Sequence, residues 1–173
     1  DKAIPHECSV PGVPATNAIA ESIVKKSKRG IRSNLEQAGH PRKYWHLAGQ
    51  CHWMGRNIAE GSDGKSAWEE RFGDPFDGLH VPYGMLVDYR PSPISQSPTQ
   101  SLDQTMKPGI FLGYVLQPGH KWNGEYKVAD VKEFIGRDLR RDAPARACNV
   151  RIDTTRTIRV PDQYEFPCRT IYE

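Results

Sequence analysis

Basic side chains at helical spacing are the first feature of this sequence with a chemistry to offer. Four of them recur every three or four residues: Lys25, Lys28, Arg29 and Arg32. Residues at that spacing share one face of an α-helix. Such a face can follow a line of phosphates, and each contact releases counterions, so that binding becomes salt-dependent. A solvated helix surface has the same pattern and is the alternative interpretation.

Two further basic groups follow along the chain. Arg42 and Lys43 come soon after the predicted helix, and residues 137–159 contain seven Arg, no Lys and three Asp. Arg140 and Arg141 are neighbours in this second segment. Because a guanidinium group presents parallel donors to phosphate or carboxylate, phosphate binding and docking on an acidic partner both stay open. A flexible, solvated tail is the third interpretation.

Charge is segregated along the chain, although the total is only +3. Residues 18–46 carry seven basic and two acidic side chains, whereas residues 59–90 carry three basic and seven acidic ones. Two basic segments therefore flank an acidic one. The small net charge hides a polarised molecule, and it is the distribution that bears on possible partners.

Trp122 is the aromatic residue best placed for an exposed contact. It lies beside His120 and Lys121 in a segment rich in turn residues, QPGHKWNG. An exposed indole there, with Lys121, could stack on a base or bind a partner surface. The other aromatic residues, Trp45 among them, are most simply explained as core or rim packing.

Catalytic and metal-binding patterns are weak. The sequence has no phosphate-binding loop, dinucleotide fingerprint, nucleophile elbow or HExxH motif, and its His/Cys pairs lack the spacing of a four-ligand zinc site. Glu21 faces Lys25 at helical spacing, which an ordinary ion pair explains. An enzyme with an unrecognised site would need a cluster such as Glu21 with His40 and His46.

Composition excludes several classes of protein. The 173 residues suffice for one compact domain or two small ones. Apolar residues make up 37%, the mean hydropathy is −0.68, and no apolar run approaches the roughly 20 residues of a membrane span. Four scattered cysteines do not suggest a disulfide framework, so an intracellular, reducing compartment is expected.

The elements that position these residues are helices first and strands afterwards. After a Pro-rich arm over 1–17, apolar spacing predicts a helix over 18–38 that ends at Gly39 and a second over about 41–57, joined as an antiparallel hairpin. A short helix is expected at 68–72. Strands are then predicted at 83–89, 107–116, 125–131 and 156–160.

The predicted fold class is therefore α+β, in three parts. Residues 1–78 would form the arm and helical hairpin. Residues 79–135 would form a small antiparallel β-barrel with a Ser/Pro loop at 92–105. Residues 136–173 would form an irregular, Arg-rich extended tail.

Five segments, in order, resemble the C-terminal part of the integrase of copia-type retrotransposons. They are VPGVPATNAIAE at 10–21, QAGHPRKYW at 37–45, GKSAWEERFG at 64–73, GMLVDYRP at 84–91 and GIFLGY at 109–114. They are similar to that family's PxxNGxAE, EAGLPKKFW, GKTPYEAWFG, FG and FLGY segments. The resemblance implies that residues 1–57 are the last helices of an RNase H-like core. It also implies that a DNA-binding barrel of the Src-homology-3 type begins near residue 80.

The resemblance also implies a two-metal catalytic site that this chain does not complete. In the family, two Asp and one Glu hold two divalent metals for DNA strand transfer. Glu21 matches the Glu, although Ala18 and Ser22 depart from the motif's Gly and Arg. Only Asp1 and Glu7 precede it as acids. We therefore expect no catalysis, and no bound cofactor, with Mg²⁺ implied by the resemblance only.

Two functions follow as hypotheses. The first is a non-catalytic nucleic-acid-binding fragment whose basic segments contact the phosphate backbone, which would place it in the nucleus. The second is a domesticated structural subunit that neighbouring chains hold in a larger protein, ribonucleoprotein or membrane-protein complex, and an organelle is the location open to this alternative.

Overall fold

The computed structural model describes residues 17–91 and 105–170. In that part of the chain, helix α1 (Ala18–Ala38) and helix α2 (Trp45–Ile58) form the predicted antiparallel hairpin, joined through a short 3-10 helix at Arg42–Tyr44. Helix α1 ends where expected, because Gly39 takes up a left-handed conformation with φ 67°. The predicted short helix is α3 (Ala67–Phe72), capped by the hydroxyl of Ser66.

The helices pack side by side only over the second half of α1. Asn34 donates a hydrogen bond to the carbonyl of Ala48 across 3.1 Å, and Ile31 lies against Gly49. Before Ser27, every described residue of α1 is exposed. The predicted apolar face is thus confirmed over 27–38, whereas its first members project away from the body.

A five-stranded antiparallel sheet follows the helices. Its strands are β1 (Leu86–Tyr89), β2 (Lys107–Leu116), β3 (Trp122–Asp130), β4 (Asp153–Thr155) and β5 (Ile158–Arg159), in the spatial order β4-β3-β2-β1-β5. The α+β class and all four predicted strands are confirmed, with β4 as an addition.

The sheet curls towards closure. Strand β2 breaks register with β3 twice, between Phe111 and Gly113 and between Tyr114 and Leu116, and such bulges bend a strand. The two edge strands β4 and β5 are separated by two residues of chain. The Thr155 hydroxyl at one edge donates to the carbonyl oxygen of Arg90, which follows β1 near the other edge, across 2.6 Å. The result is half of a small barrel.

Residues 136–170 differ from the predicted extended tail. They supply β4 and β5 to the sheet, and four of their apolar side chains are buried in the body: Leu139, Cys148, Ile158 and Cys168. Apolar residues spaced between the Arg and Pro residues of this segment are what pack it against the body. Almost all of the predicted Ser/Pro loop and almost all of the Pro-rich arm lie outside the described residues.

One hydrophobic core joins helices and sheet. Met54 and Cys51 of α2 share it with Phe111 of β2 and Val128 of β3. At the surface, Lys127 of β3 donates a hydrogen bond of 2.9 Å to Gln50 of α2 and so also links the sheet to the helices. Within the described residues, no helix has the length and apolar character needed to cross a membrane.

Candidate nucleic-acid interface

A groove lies between α1 and the segment around residue 140. We call it the α1 groove, and its volume is about 710 Å³. Its walls come from α1, from the turn after α1, from Leu139 and Arg141, and from α4 (Pro167–Thr170). It therefore joins parts of the chain that are remote in sequence.

Cations from four parts of the chain line the α1 groove. Lys28 and Arg32 are one turn apart on α1, roughly 6 Å along its axis. Arg42 comes from the turn, Arg141 from the Arg-rich segment and Arg169 from α4. The one acidic side chain in this lining is that of Glu36. The first four of these cations were predicted as contacts from the sequence, and the structure brings them together.

Hydrogen bonds between the turn and the Arg-rich segment create this juxtaposition. The backbone N–H of Arg42 donates to the carbonyl oxygen of Arg141 across 3.0 Å, and the Arg42 guanidinium forms an ion pair with Asp142 at 2.9 Å. Lys43 donates to the carbonyl of Ala145 across 2.8 Å and also bonds Asn149. The Lys43 ammonium therefore holds the segment in place.

The floor of the α1 groove is apolar. Ile31 and Leu35 of α1 and Leu139 of the Arg-rich segment line it, and all three are at least partly buried. Trp45, the first residue of α2, lies at its side with 61% of its surface exposed. Trp45 is thus exposed where core or rim packing was expected, and its neighbours Tyr44 and Leu47 are buried instead.

A neutral histidine lies at the inner end of the groove. His40 is buried, its Nδ1 is 3.0 Å from the Tyr83 hydroxyl, and its ring stacks on that of Phe134. Burial lowers the pKa of His40 to about 3, because a charged imidazole would lose its hydration there. His40 thus adds no charge to the groove at neutral pH.

Most of the Arg-rich segment is paired within the chain. Arg140 grips Asp138 through two nitrogens, at 2.7 Å and 3.0 Å, and this contact lowers the pKa of that carboxyl group. Three other arginines meet carboxylates, in the pairs Arg137–Glu133, Arg151–Asp153 and Arg156–Glu125. Arg140 was predicted as a phosphate contact, but its guanidinium is turned to Asp138. Arg141 is the member that reaches the α1 groove.

Trp122 is not the exposed residue that was expected. Its ring is partly buried and packs against Phe76 and Tyr126, with centroids 5.0 and 5.1 Å away. Its indole N–H donates to the carbonyl of Glu125 across 2.7 Å. Lys121 is exposed beside it, outside the groove lining. The indole is therefore part of an aromatic cluster that includes Phe76 and Tyr126.

The remaining candidates do not meet. Lys25 and Arg29 are exposed on α1. Glu21 is exposed in the first turn of α1 and His40 follows its last turn, so roughly 25 Å of helix separates them. His46 is exposed on α2, and the proposed Glu21–His40–His46 cluster is not formed. Asp1 and Glu7 lie outside the described residues, which themselves hold no group of three metal-ligating side chains.

Comparison with protein-family models, with curated proteins and with solved structures found no significant match to this chain.

Proposed function

We propose that this chain is a non-catalytic nucleic-acid-binding fragment that resembles the C-terminal part of a copia-type integrase. The observation that carries the proposal is the set of cations Lys28, Arg32, Arg42 and Arg141 around one groove. Such a set neutralises phosphates without reading base edges. Arg forks suit phosphate oxygens, and all three arginines of this set are exposed.

The curled sheet supports the finer part of the proposal. We assign it to the small barrel of the Src-homology-3 type that the resemblance implies. Its support is the five short antiparallel strands, the bulged β2 and the two-residue step from β4 to β5. The proposed nuclear location follows from the same resemblance.

No catalytic step is part of this function. The Mg²⁺ that the resemblance implies finds no fitting site among the described residues, because they hold no group of three metal-ligating side chains, around Glu21 or elsewhere. The chain would bind nucleic acid and leave strand transfer to other machinery.

The test is binding to a short DNA duplex across a salt series, read by fluorescence anisotropy. The logarithm of affinity should fall linearly with the logarithm of salt concentration, by about 0.9 for each phosphate contact. The double variant Arg32→Gln/Arg141→Gln should reduce that slope by about 2.

The matched control is Arg146→Gln/Arg159→Gln. It removes two exposed arginines outside the groove lining, so that its net charge equals that of Arg32→Gln/Arg141→Gln. Its slope should stay close to that of the wild type. An equal loss in both variants would assign binding to overall charge, and salt-independent or absent binding would overturn the proposal.

A structural subunit is the second candidate, and one observation favours it. Ile19 is 80% exposed, and Ile23 and Val24 are about half exposed on the projecting part of α1. Apolar side chains grouped in this way are typical of a surface that another protein covers. Stoichiometric co-purification with defined subunits, lost in Ile19→Ser/Ile23→Ser, would support this candidate. A free monomer in the cell would remove it.

A further inference from the structure

We propose that the α1 groove takes an unpaired strand of nucleic acid, with one base stacked on the indole of Trp45 and the neighbouring phosphates on the groove's cations. This deepens the proposed function and rests on it. The occupant is a single strand or a frayed duplex end, rather than the side of an intact duplex.

Trp45 is an exposed aromatic platform on a rigid support. Its backbone is helical, and its N–H bonds to the carbonyl of Arg42. Tyr44 and Leu47, on either side, are each only 4% exposed, so they fix the start of α2 in the core. The indole lies edge-on to the His46 ring, with centroids 6.1 Å apart, and 61% of the residue is exposed. A large apolar ring held in water in this way gains by stacking on a flat partner.

The groove combines two chemistries that a single strand carries together. Lys28, Arg32 and Arg141 offer charge for a phosphodiester backbone. Ile31, Leu35 and Trp45 offer apolar surface for a base. In an intact duplex the base faces are already stacked on each other, so this surface would gain nothing. A basic groove with an aromatic ring at its side is the arrangement by which proteins hold single strands without sequence preference.

The size of the groove agrees with a bound ligand of a few rings. Its volume of about 710 Å³ lies within the roughly 300–1,000 Å³ of sites that surround a ligand of a few rings. Contact with the side of a duplex needs only an outer line of cations, and the projecting Lys25 and Arg29 would serve for that.

The test compares three DNA probes by anisotropy at one salt concentration. The first is a thymidine strand of about ten nucleotides, the second an abasic strand of the same length, and the third a duplex. Each is titrated with the wild type, with Trp45→Ala and Trp45→Phe, and with Tyr164→Ala. Tyr164 is an exposed aromatic residue outside the groove lining and is the control.

We expect Trp45→Ala to weaken binding of the thymidine strand by roughly 5- to 150-fold, the range for loss of one stacked base. Affinity for the abasic strand should not change, because that probe has no base to lose. Trp45→Phe should retain part of the affinity, since it keeps a π face, and Tyr164→Ala should bind as the wild type does. Circular dichroism confirms that each variant is folded.

A failure of the stacking proposal can be distinguished from a failure of the proposed function. If Trp45→Ala weakens the abasic strand or the duplex as much as the thymidine strand, or weakens none of them, the stacking proposal is overturned while nucleic-acid binding stands. In the last case the indole would serve a protein partner. If the wild type binds no probe, the proposed function itself falls.

Discussion

The backbone N–H of Arg42 donates to the carbonyl oxygen of Arg141 across 3.0 Å, and so it joins the turn of the helical hairpin to the Arg-rich segment. This one contact sets two cationic side chains side by side at the α1 groove. The ion pair of Arg42 with Asp142, at 2.9 Å, places a carboxylate next to them. The groove's positive potential is therefore partly neutralised from within the chain.

Replacing Asp142 should strengthen nucleic-acid binding with little cost to stability. Both partners of the ion pair are largely exposed, and such pairs contribute about 0–1 kcal/mol. Asp142→Asn removes a negative charge beside the groove, where two charges about 4 Å apart in water interact by about 1 kcal/mol. DNA affinity at low salt should rise roughly up to fivefold, with the urea midpoint nearly unchanged. Asp74→Asn, in the acidic segment, is the control and should have a smaller effect.

The contact of Gly84 with Ala38 should be intolerant of even one methyl group. Gly84 has φ +81°, and a Cβ there would lie 2.2 Å from the Ala38 Cβ. Gly84→Ala combines backbone strain with a clash at the junction of α1 and the sheet, so we expect a loss of about 2–5 kcal/mol in the free energy of unfolding. Gly64→Ala has a similar φ of +77° and open space around it. Gly64→Ala should cost about 1 kcal/mol of unfolding free energy. Equal urea midpoints for the two variants would contradict the close contact of Gly84 with Ala38.

Mild acid should destabilise the fold through His40. Its folded-state pKa is about 3, below the unfolded value of 6.5, because burial excludes the charged imidazole. The unfolded state therefore binds a proton that the folded state does not, and stability falls as the pH drops from about 6.5 towards 3. Between pH 7 and pH 5 this amounts to about 2 kcal/mol. Urea unfolding of the wild type should show a loss of that order, which His40→Gln reduces.

The control for this pH effect is His46→Gln, which replaces an exposed histidine of α2. It should lose as much stability between the two pH values as the wild type does. A His40→Gln protein with an undiminished pH dependence would show that other groups cause the effect.

Trp122 should matter for stability because its indole belongs to the aromatic cluster. Trp122→Ala removes packing against Phe76 and Tyr126 and leaves the Glu125 carbonyl without its 2.7 Å donor. We expect a loss of about 2–4 kcal/mol, since the side chain is only partly buried. Lys121→Gln, at the neighbouring exposed position, should change stability by less than about 0.5 kcal/mol. Thermal or urea unfolding of both variants decides between a packed and an exposed indole.

Local patterns were enough to predict most of the secondary structure. The three- to four-residue apolar spacing of α1 and the glycine after it predicted a helix that ends at Ala38, because both signals act within one or two turns. The run KPGIFLGYVL predicted β2, where six consecutive positions are buried. The basic spacing of Lys28 and Arg32 likewise predicted a shared face.

Only the tertiary structure decided which cations act together and which aromatic ring is exposed. Arg141 reaches the groove that Arg32 lines because of a backbone hydrogen bond with Arg42, which sequence spacing does not encode, whereas Arg140, one residue earlier, turns to Asp138. For the same reason Trp45 is exposed and Trp122 is partly buried, the reverse of what was expected from the sequence. Burial of a side chain depends on which remote elements pack over it, and that is fixed by the whole core rather than by neighbours in sequence.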